Sequence, residues 1–304
     1  MKVGYFADGP WSHKALELLV NEVEIAFIVP RFDTQDPVLK QWAEKLKVPY
    51  FPVEDVNSKD FIDWAKETEA DLFVSMSFNQ ILKKEIINLP KYGFINCHAG
   101  ALPFYRGRNP LNWVLINGES HFGITVHYVD EGIDTGDIIS QKLYEITNVD
   151  DYASLLEKAV IECASLLLNA VSLIKASSVS AIVQSSIHPV GTYFGRRING
   201  DELVDFSWGA QRFFNFVRAI TSPGPGARCK GPNGELALLE CRLIDSASSY
   251  IATEGEVVGK NDDGVVIKVG DSTVLLTKIA DVRQQGLGEI KKPTFGIGTR
   301  LKGR

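Results

Sequence analysis

Asn96 and His98 stand two residues apart at the end of a short apolar run, and an acidic turn, residues 130–137, follows further along the chain. A carboxamide N–H can support a developing oxyanion. An imidazole, with an ordinary pKa near neutrality, can move a proton. Along an extended strand side chains alternate, so Asn96 and His98 share one face and Cys97 points to the other. Cys97 therefore reads as a packed core thiol and not as a nucleophile. The turn supplies three rival aspartates, Asp130, Asp134 and Asp137, and His127 just before it is a rival base with an expected structural role. Residue types alone do not choose among them.

These groups need a scaffold. Apolar, β-rich runs at residues 3–6, 25–29, 49–53, 72–75 and 94–96 alternate with helix-like stretches at 12–20, 37–45, 58–68 and 83–89. That alternation predicts a parallel, doubly wound α/β sheet, which binds ligands at the carboxyl ends of its strands. Asn96 and His98 fall at such an end. The first strand is not followed by G-x-G-x-x-G, so this Rossmann-like pattern carries no dinucleotide fingerprint. Residues 150–175 read as one long amphipathic helix and 206–220 as another, stopped by the Pro/Gly run after Ser222. Beyond it, short strands are expected at 236–239, 256–258, 265–269 and 273–277, separated by turns such as Asn233-Gly234, as in a small barrel.

Composition narrows the function classes. The chain has 304 residues, enough for two domains, and a net charge of −6. Residues 1–204 carry 18 Lys and Arg against 27 Asp and Glu, and the remainder 14 against 11, so neither part has the basic excess of wholesale phosphate-backbone binding. No run reaches the length of a membrane span, and no secretory leader is expected. The four cysteines are scattered without a C-x-x-C pair. Neither a zinc site nor a disulfide framework is expected, and a cytoplasmic location is.

The pattern Asn96-x-His98, Leu102-Pro103-x-x-Arg106-Gly107 and Asp130-x-Gly132-x-Asp134-x-Gly136 resembles the formyltetrahydrofolate-dependent formyltransferases. Residues 105–108, 110–113, 117–119 and 194–197 are similar to the formyltransferase domain of the bifunctional aminoarabinose lipid A modification enzyme. The resemblance implies a Rossmann-like α/β formyltransferase domain over residues 1–183, a linker over 184–204 and a small OB-like β-barrel domain over 205–304. It implies N10-formyltetrahydrofolate as co-substrate, no metal, and Asn96, His98 and Asp134 as the catalytic set. Asp134 would orient the imidazole and favour its charged form. The folate pocket would be lined by Gln80, Ile81 and Leu82, by the loop of Asp130, Glu131, Gly132 and Ile133, and by Arg108.

Three acceptor amines compete within that resemblance. Glycinamide ribonucleotide formyltransferases match the first domain only. Methionyl-tRNA formyltransferases match both, but carry a basic insertion where this chain has the short, acid-containing segment 31–37. Arg196 and Arg197 form a pair able to hold a diphosphate. The expected acceptor is therefore a nucleotide-linked amino sugar, with methionyl-tRNA as the alternative and nucleic acid not expected as a partner. A formyltetrahydrofolate hydrolase and a non-catalytic ligand-binding homologue are the remaining alternatives. The C-terminal domain is open to serving as a homodimer surface.

Overall fold

The computed structural model describes residues 1–304. The chain divides into two compact units. The first holds residues 1–110, 121–145 and 157–195, and the second holds 111–120, 146–156 and 196–304. The expected linker, 184–204, is thus shared between them: its first part belongs to the first unit.

The chain runs β1 (Lys2–Ala7), α1 (Gly9–Leu19), β2 (Glu24–Pro30), α2 (Pro37–Leu46), α3 (Lys59–Glu67), β3 (Leu72–Met76), α4 (Lys84–Ile87) and β4 (Phe94–His98). It continues through β5 (Arg106–Gly107), α5 (Pro110–Ile116), β6 (His121–Tyr128), β7 (Ile138–Glu145), α6 (Tyr152–Lys175), α7 (Gln184–Ile187) and β8 (Tyr193–Phe194). The main sheet of the first unit has the order β2-β1-β3-β4-β6-β7. The first four strands are parallel, as the alternation predicts, but β6 runs antiparallel to β4 and β7 to β6. The sheet is therefore mixed: the parallel strands that the alternation predicts are extended by an antiparallel edge of β6 and β7. β6 and β7 are joined by the acidic turn alone, and a parallel pair needs a much longer crossover.

Local chemistry sets the helix ends. Ser58 caps α3 by accepting from the Phe61 amide, and Asp36 caps α2 through the amides of Val38 and Leu39. The expected strand at 49–53 does not form; Tyr50 makes only an isolated bridge with Ile28. Pro49 and Pro52 lack the donors a ladder needs.

One face of the first unit's sheet is aromatic. Phe6, Phe27, Phe61, Phe73 and Phe94 form a buried cluster, with Phe6 and Phe94 ring centroids 4.9 Å apart. Phe94 lies on the same strand face as Asn96 and His98. That face of β4 is thus anchored in the core at one end and presents polar groups at the other.

The second unit contains α8 (Ala210–Ile220), β9 (Ala227–Gly231), β10 (Gly234–Leu243), β11 (Val257–Lys260), β12 (Val265–Lys268), β13 (Thr273–Arg283) and β14 (Gly286–Lys291). Its antiparallel sheet has the order β11-β12-β13-β10-β9. β13 is longer than expected: its first part pairs with β12 and its later part with β14, while β10 runs along its other edge. β9 and β14 were not expected from the pattern.

Candidate active site

β4 delivers the two residues that opened the argument. Asn96 pairs across the sheet with His127 on β6, and His98 with Thr125. The loop between β6 and β7 folds back over this edge. Asp134 sits there with φ +55, a left-handed backbone uncommon for a residue with a side chain. Its carboxylate accepts from the Gly107 amide at 2.8 Å through Oδ2. The same oxygen is 3.7 Å from His98 Nδ1, and Oδ1 is 3.5 Å from His127 Nε2 and 3.5 Å from Asn96 Nδ2. Asn96, His98 and Asp134 therefore converge, and His127 joins them.

The imidazoles have defined orientations. His98 Nε2 donates to the Tyr105 carbonyl at 2.7 Å, so in the neutral ring Nδ1 holds the lone pair and faces Asp134. That bond depends on Gly100: a Cβ there would lie 2.6 Å from His98 Nε2 and 2.7 Å from the Tyr105 oxygen. His127 Nδ1 lies 2.7 Å from the Tyr128 carbonyl, which leaves Nε2 toward Asn96 Nδ2 at 3.3 Å. The two contacts of the Asn96 amide are long, so its N–H groups are available to a stronger acceptor.

Asp134 is mostly buried. Burial alone would raise its pKa, but the charge of His98, the hydrogen bond and charge of His127 and the Gly107 amide outweigh it and hold the carboxyl well below its usual range. The rival Asp130 is exposed and turns inward on its own loop, accepting from the Gly132 amide and the Thr135 hydroxyl. Among the three aspartates of the turn, Asp134 is the one bonded to the Gly107 amide and facing the imidazoles. Cys97 lies on the opposite strand face, its thiol 3.6 Å from the Cys163 carbonyl.

The candidate folate residues lie in three segments of the first unit. Gln80 spends its side chain on the Val53 carbonyl and Val56 amide, so only its backbone is available to a ligand. Ile81 is 66% exposed, and Leu82 packs against the aromatic core. Just before them the Asn79 Oδ1 is buried and receives no donor from the protein, which fits a heterocycle carrying N–H groups. Glu131, Gly132 and Ile133 are exposed on the loop before Asp134. Arg108 is exposed, and its amide donates to the Phe194 carbonyl. No group of three or more His, Cys, Asp or Glu side chains is arranged to hold a metal ion.

The expected arginine pair separates. Arg196 is exposed, whereas Arg197 lines a pocket in the second unit with Arg212 and Arg304.

Gln184 falls within the expected linker, yet it is 2% exposed and braces the 130–137 loop. Its Nε2 donates to the carbonyls of Asp134 and Gly136, both at 2.8 Å, while its Oε1 accepts from Arg106 Nε at 3.1 Å and Nη2 at 2.7 Å. Nothing in its Ser- and Val-rich surroundings marks it. His127 was legible in part, because Asn96 and a polar residue opposite it must share the sheet edge.

Comparison with known proteins shows the family of the chain. Residues 12–171 match the formyl transferase family, and residues 198–286 match the formyl transferase C-terminal domain. The chain is 30% identical to the methionyl-tRNA formyltransferase of Fusobacterium nucleatum, over 99% of this chain and all of that one. It is 34% identical to the bifunctional polymyxin resistance protein ArnA of Wigglesworthia glossinidia brevipalpis, over 62% of this chain and 29% of that protein. Among solved structures, an N-formyltransferase from Helicobacter canadensis in complex with folinic acid and dTDP-3-aminofucose shares the fold, with a TM-score of 0.68 at 19% identity over 91% of this chain and 99% of that one. The sugar 3N-formyltransferase WlaRD, solved with dTDP and 5-N-formyl-THF, gives 0.69 at 21% identity over 91% and 97%. With both of its parts matched and a relative aligned from end to end, this chain belongs to the formyl transferase family and is a folate-dependent formyltransferase.

Proposed function

We propose that Asn96, His98 and Asp134 transfer the formyl group of N10-formyltetrahydrofolate to a primary amine carried on a phosphorylated molecule. The convergence of the three side chains at the carboxyl end of β4 carries this reading. Attack of the amine on the formyl carbon places negative charge on the formyl oxygen. Asn96 Nδ2 donates to that oxygen in place of its long present contacts. His98 Nδ1 takes the proton that the amine loses and returns it to the leaving nitrogen. Asp134, held by the Gly107 amide, supplies the negative charge that supports the imidazolium. The exposed loop 130–133, the 80–82 segment and Arg108 are the proposed folate contacts, with Asn79 Oδ1 as an additional acceptor.

Two carriers are supported by different observations. Comparison supports methionyl-tRNA more strongly, since the relatives aligned over nearly the whole chain bear that name. The chain's own residues support a nucleotide-linked amino sugar. The segment after β2, residues 31–37, is short and holds two aspartates, and its Arg31 is turned inward onto the Ser77 carbonyl and Asp8. It offers no basic loop to a tRNA acceptor stem.

The experiment is a direct contest. The protein is supplied with N10-formyltetrahydrofolate and either methionyl-tRNA or one of a panel of nucleotide-linked amino sugars, and products are identified by mass. Formylation of a sugar amine well above methionyl-tRNA supports the sugar carrier; the reverse order establishes tRNA. Tetrahydrofolate release at full rate with no amine present would overturn transfer in favour of hydrolysis.

A further inference from the structure

The second unit contains a pocket of about 200 Å³ walled by Arg197, Arg212, Arg304, Trp113, Trp208 and Phe216, with Asp201 at its side. We propose that this pocket binds the diphosphate of a nucleoside-diphosphate-linked sugar. The proposal rests on the sugar-carrier reading above and specifies which residues hold that carrier.

The arginines come from three distant parts of the sequence, and each is held differently. The Arg212 guanidinium lies 4.4 Å from the Trp208 ring centroid, and Trp208 is packed edge-on to Phe216 at 4.9 Å. Stacking of this kind fixes the guanidinium plane while leaving its edge N–H groups for an anion. Arg304 Nη2 donates to the Gly200 carbonyl at 3.1 Å, which positions the side chain and spends one of its five donors. Burial holds the Arg197 pKa below its ordinary value despite Asp201, Glu202 and Tyr152, all of which favour its charge. Three guanidinium groups and one carboxylate, that of Asp201, line the pocket, while Glu202 acts on Arg197 and Asp205 on Arg212 and Arg304 from outside that lining.

The size selects the ligand fragment. Sites that enclose a whole drug-sized ligand run to ~300–1,000 Å³. This one is smaller, so it takes the charged diphosphate and leaves nucleoside and sugar to extend beyond it. A diphosphate joining two alcohols carries one negative charge per phosphate and offers paired oxygens to forked guanidinium donors. Arg196, exposed and off this wall, is not part of the site.

The test is equilibrium binding to the full chain, read by quenching of tryptophan fluorescence with Trp113 and Trp208 as reporters. The probes are UDP, dTDP, GDP, inorganic pyrophosphate, inorganic phosphate and uncharged tRNA. Saturable quenching by at least one nucleoside diphosphate, with pyrophosphate competing and phosphate much weaker, is expected. Arg197→Gln and Arg212→Gln should each weaken it about ten- to hundredfold, the worth of a lost charged hydrogen bond. Arg212→Lys, which keeps charge without the fork, should recover only part of the loss. Arg242→Gln, a surface change in the same unit, should leave affinity unchanged. Thermal melts identify any variant that fails to fold, and Arg212→Lys then carries the test. No saturable binding of any nucleoside diphosphate, or an affinity unchanged from wild type in both glutamine variants, overturns the site. Competition by tRNA but not by pyrophosphate also overturns it. If nucleotides bind as expected but only methionyl-tRNA is formylated, the carrier reading fails while the anion site stands. If a sugar is formylated with KM unchanged in the arginine variants, the site fails alone.

Discussion

Replacement of Asp134 by Asn tests the electrostatic core of the site. Asparagine keeps an oxygen for the Gly107 amide, so the loop has no steric reason to move. What disappears is a negative charge 3.7 Å from His98 Nδ1. At that distance, with an effective dielectric of about 20, the attraction to an imidazolium is about 4 kcal/mol. With its oxygen kept on Gly107, the Asn N–H groups take the Oδ1 position and face His127 Nε2 and the Asn96 amide. Lost from the transition state alone, about 4 kcal/mol corresponds to a ~10³-fold fall in kcat. The assay is tetrahydrofolate release at saturating acceptor, with KM for the formyl donor measured alongside. A kcat within about tenfold of wild type would refute the assignment of Asp134 as the charge behind His98. The same substitution has a stability signature. The Asp134 pKa is depressed in the folded protein, so its contribution is present above the unfolded carboxylate value of about 4 and is lost as pH falls through the folded value. The difference in urea stability between wild type and variant should therefore be full at neutral pH and shrink in acid.

Other substitutions probe the neighbouring parts. His98→Ala should cost ~10²–10⁴ in rate and Asn96→Ala ~10²–10³, both read in the same assay at saturating substrates; near-wild-type turnover of the first removes His98 from the mechanism. Gln184→Leu leaves the Arg106 guanidinium and two loop carbonyls without their buried partner, at about 1–3 kcal/mol for each unsatisfied group, so it should lower Tm and kcat together. An unchanged melting curve would show that water replaces the amide fully. Gly100→Ala inserts a methyl into the contact between His98 and the Tyr105 carbonyl and should impair turnover more than stability; normal kcat would mean that this bond does not set the ring's orientation.

Much of this protein was open to sequence reasoning because its signals are local. The alternation of β-rich and helical runs announced the first part of the sheet, since burial on both faces of parallel strands needs it. The two-residue period of a strand put Asn96 and His98 on one face and Cys97 on the other, and the structure has them so. Misreadings occurred where long-range pairing decides. Residues 49–53 look extended, but Pro49 and Pro52 each remove a donor, and only an isolated bridge to Ile28 forms. β7 runs antiparallel to β6 because the turn joining them is too short for a crossover, whereas β6 reverses against β4 across the longer connection 99–120, and it is that reversal that sets His127 opposite Asn96.

Three aspartates in the acidic turn are equivalent by type, and the resemblance to a family, not the residues themselves, favoured Asp134 among them. Their orientation separates them only in the folded chain, where Asp130 bonds within its own loop and the left-handed backbone at Asp134 aims that carboxylate at the Gly107 amide and two imidazoles. Gln184 had no signature, because a glutamine becomes a brace only when folding buries it between Arg106 and two carbonyls. Arg197 was read with its sequence neighbour, yet tertiary contact groups it with Arg212 and Arg304 and leaves Arg196 outside. Residue type and spacing determined which chemistry this chain can perform. Which particular groups are available for it was decided by the fold, because hydrogen bonding and charge act through space at a few ångströms, irrespective of separation along the chain.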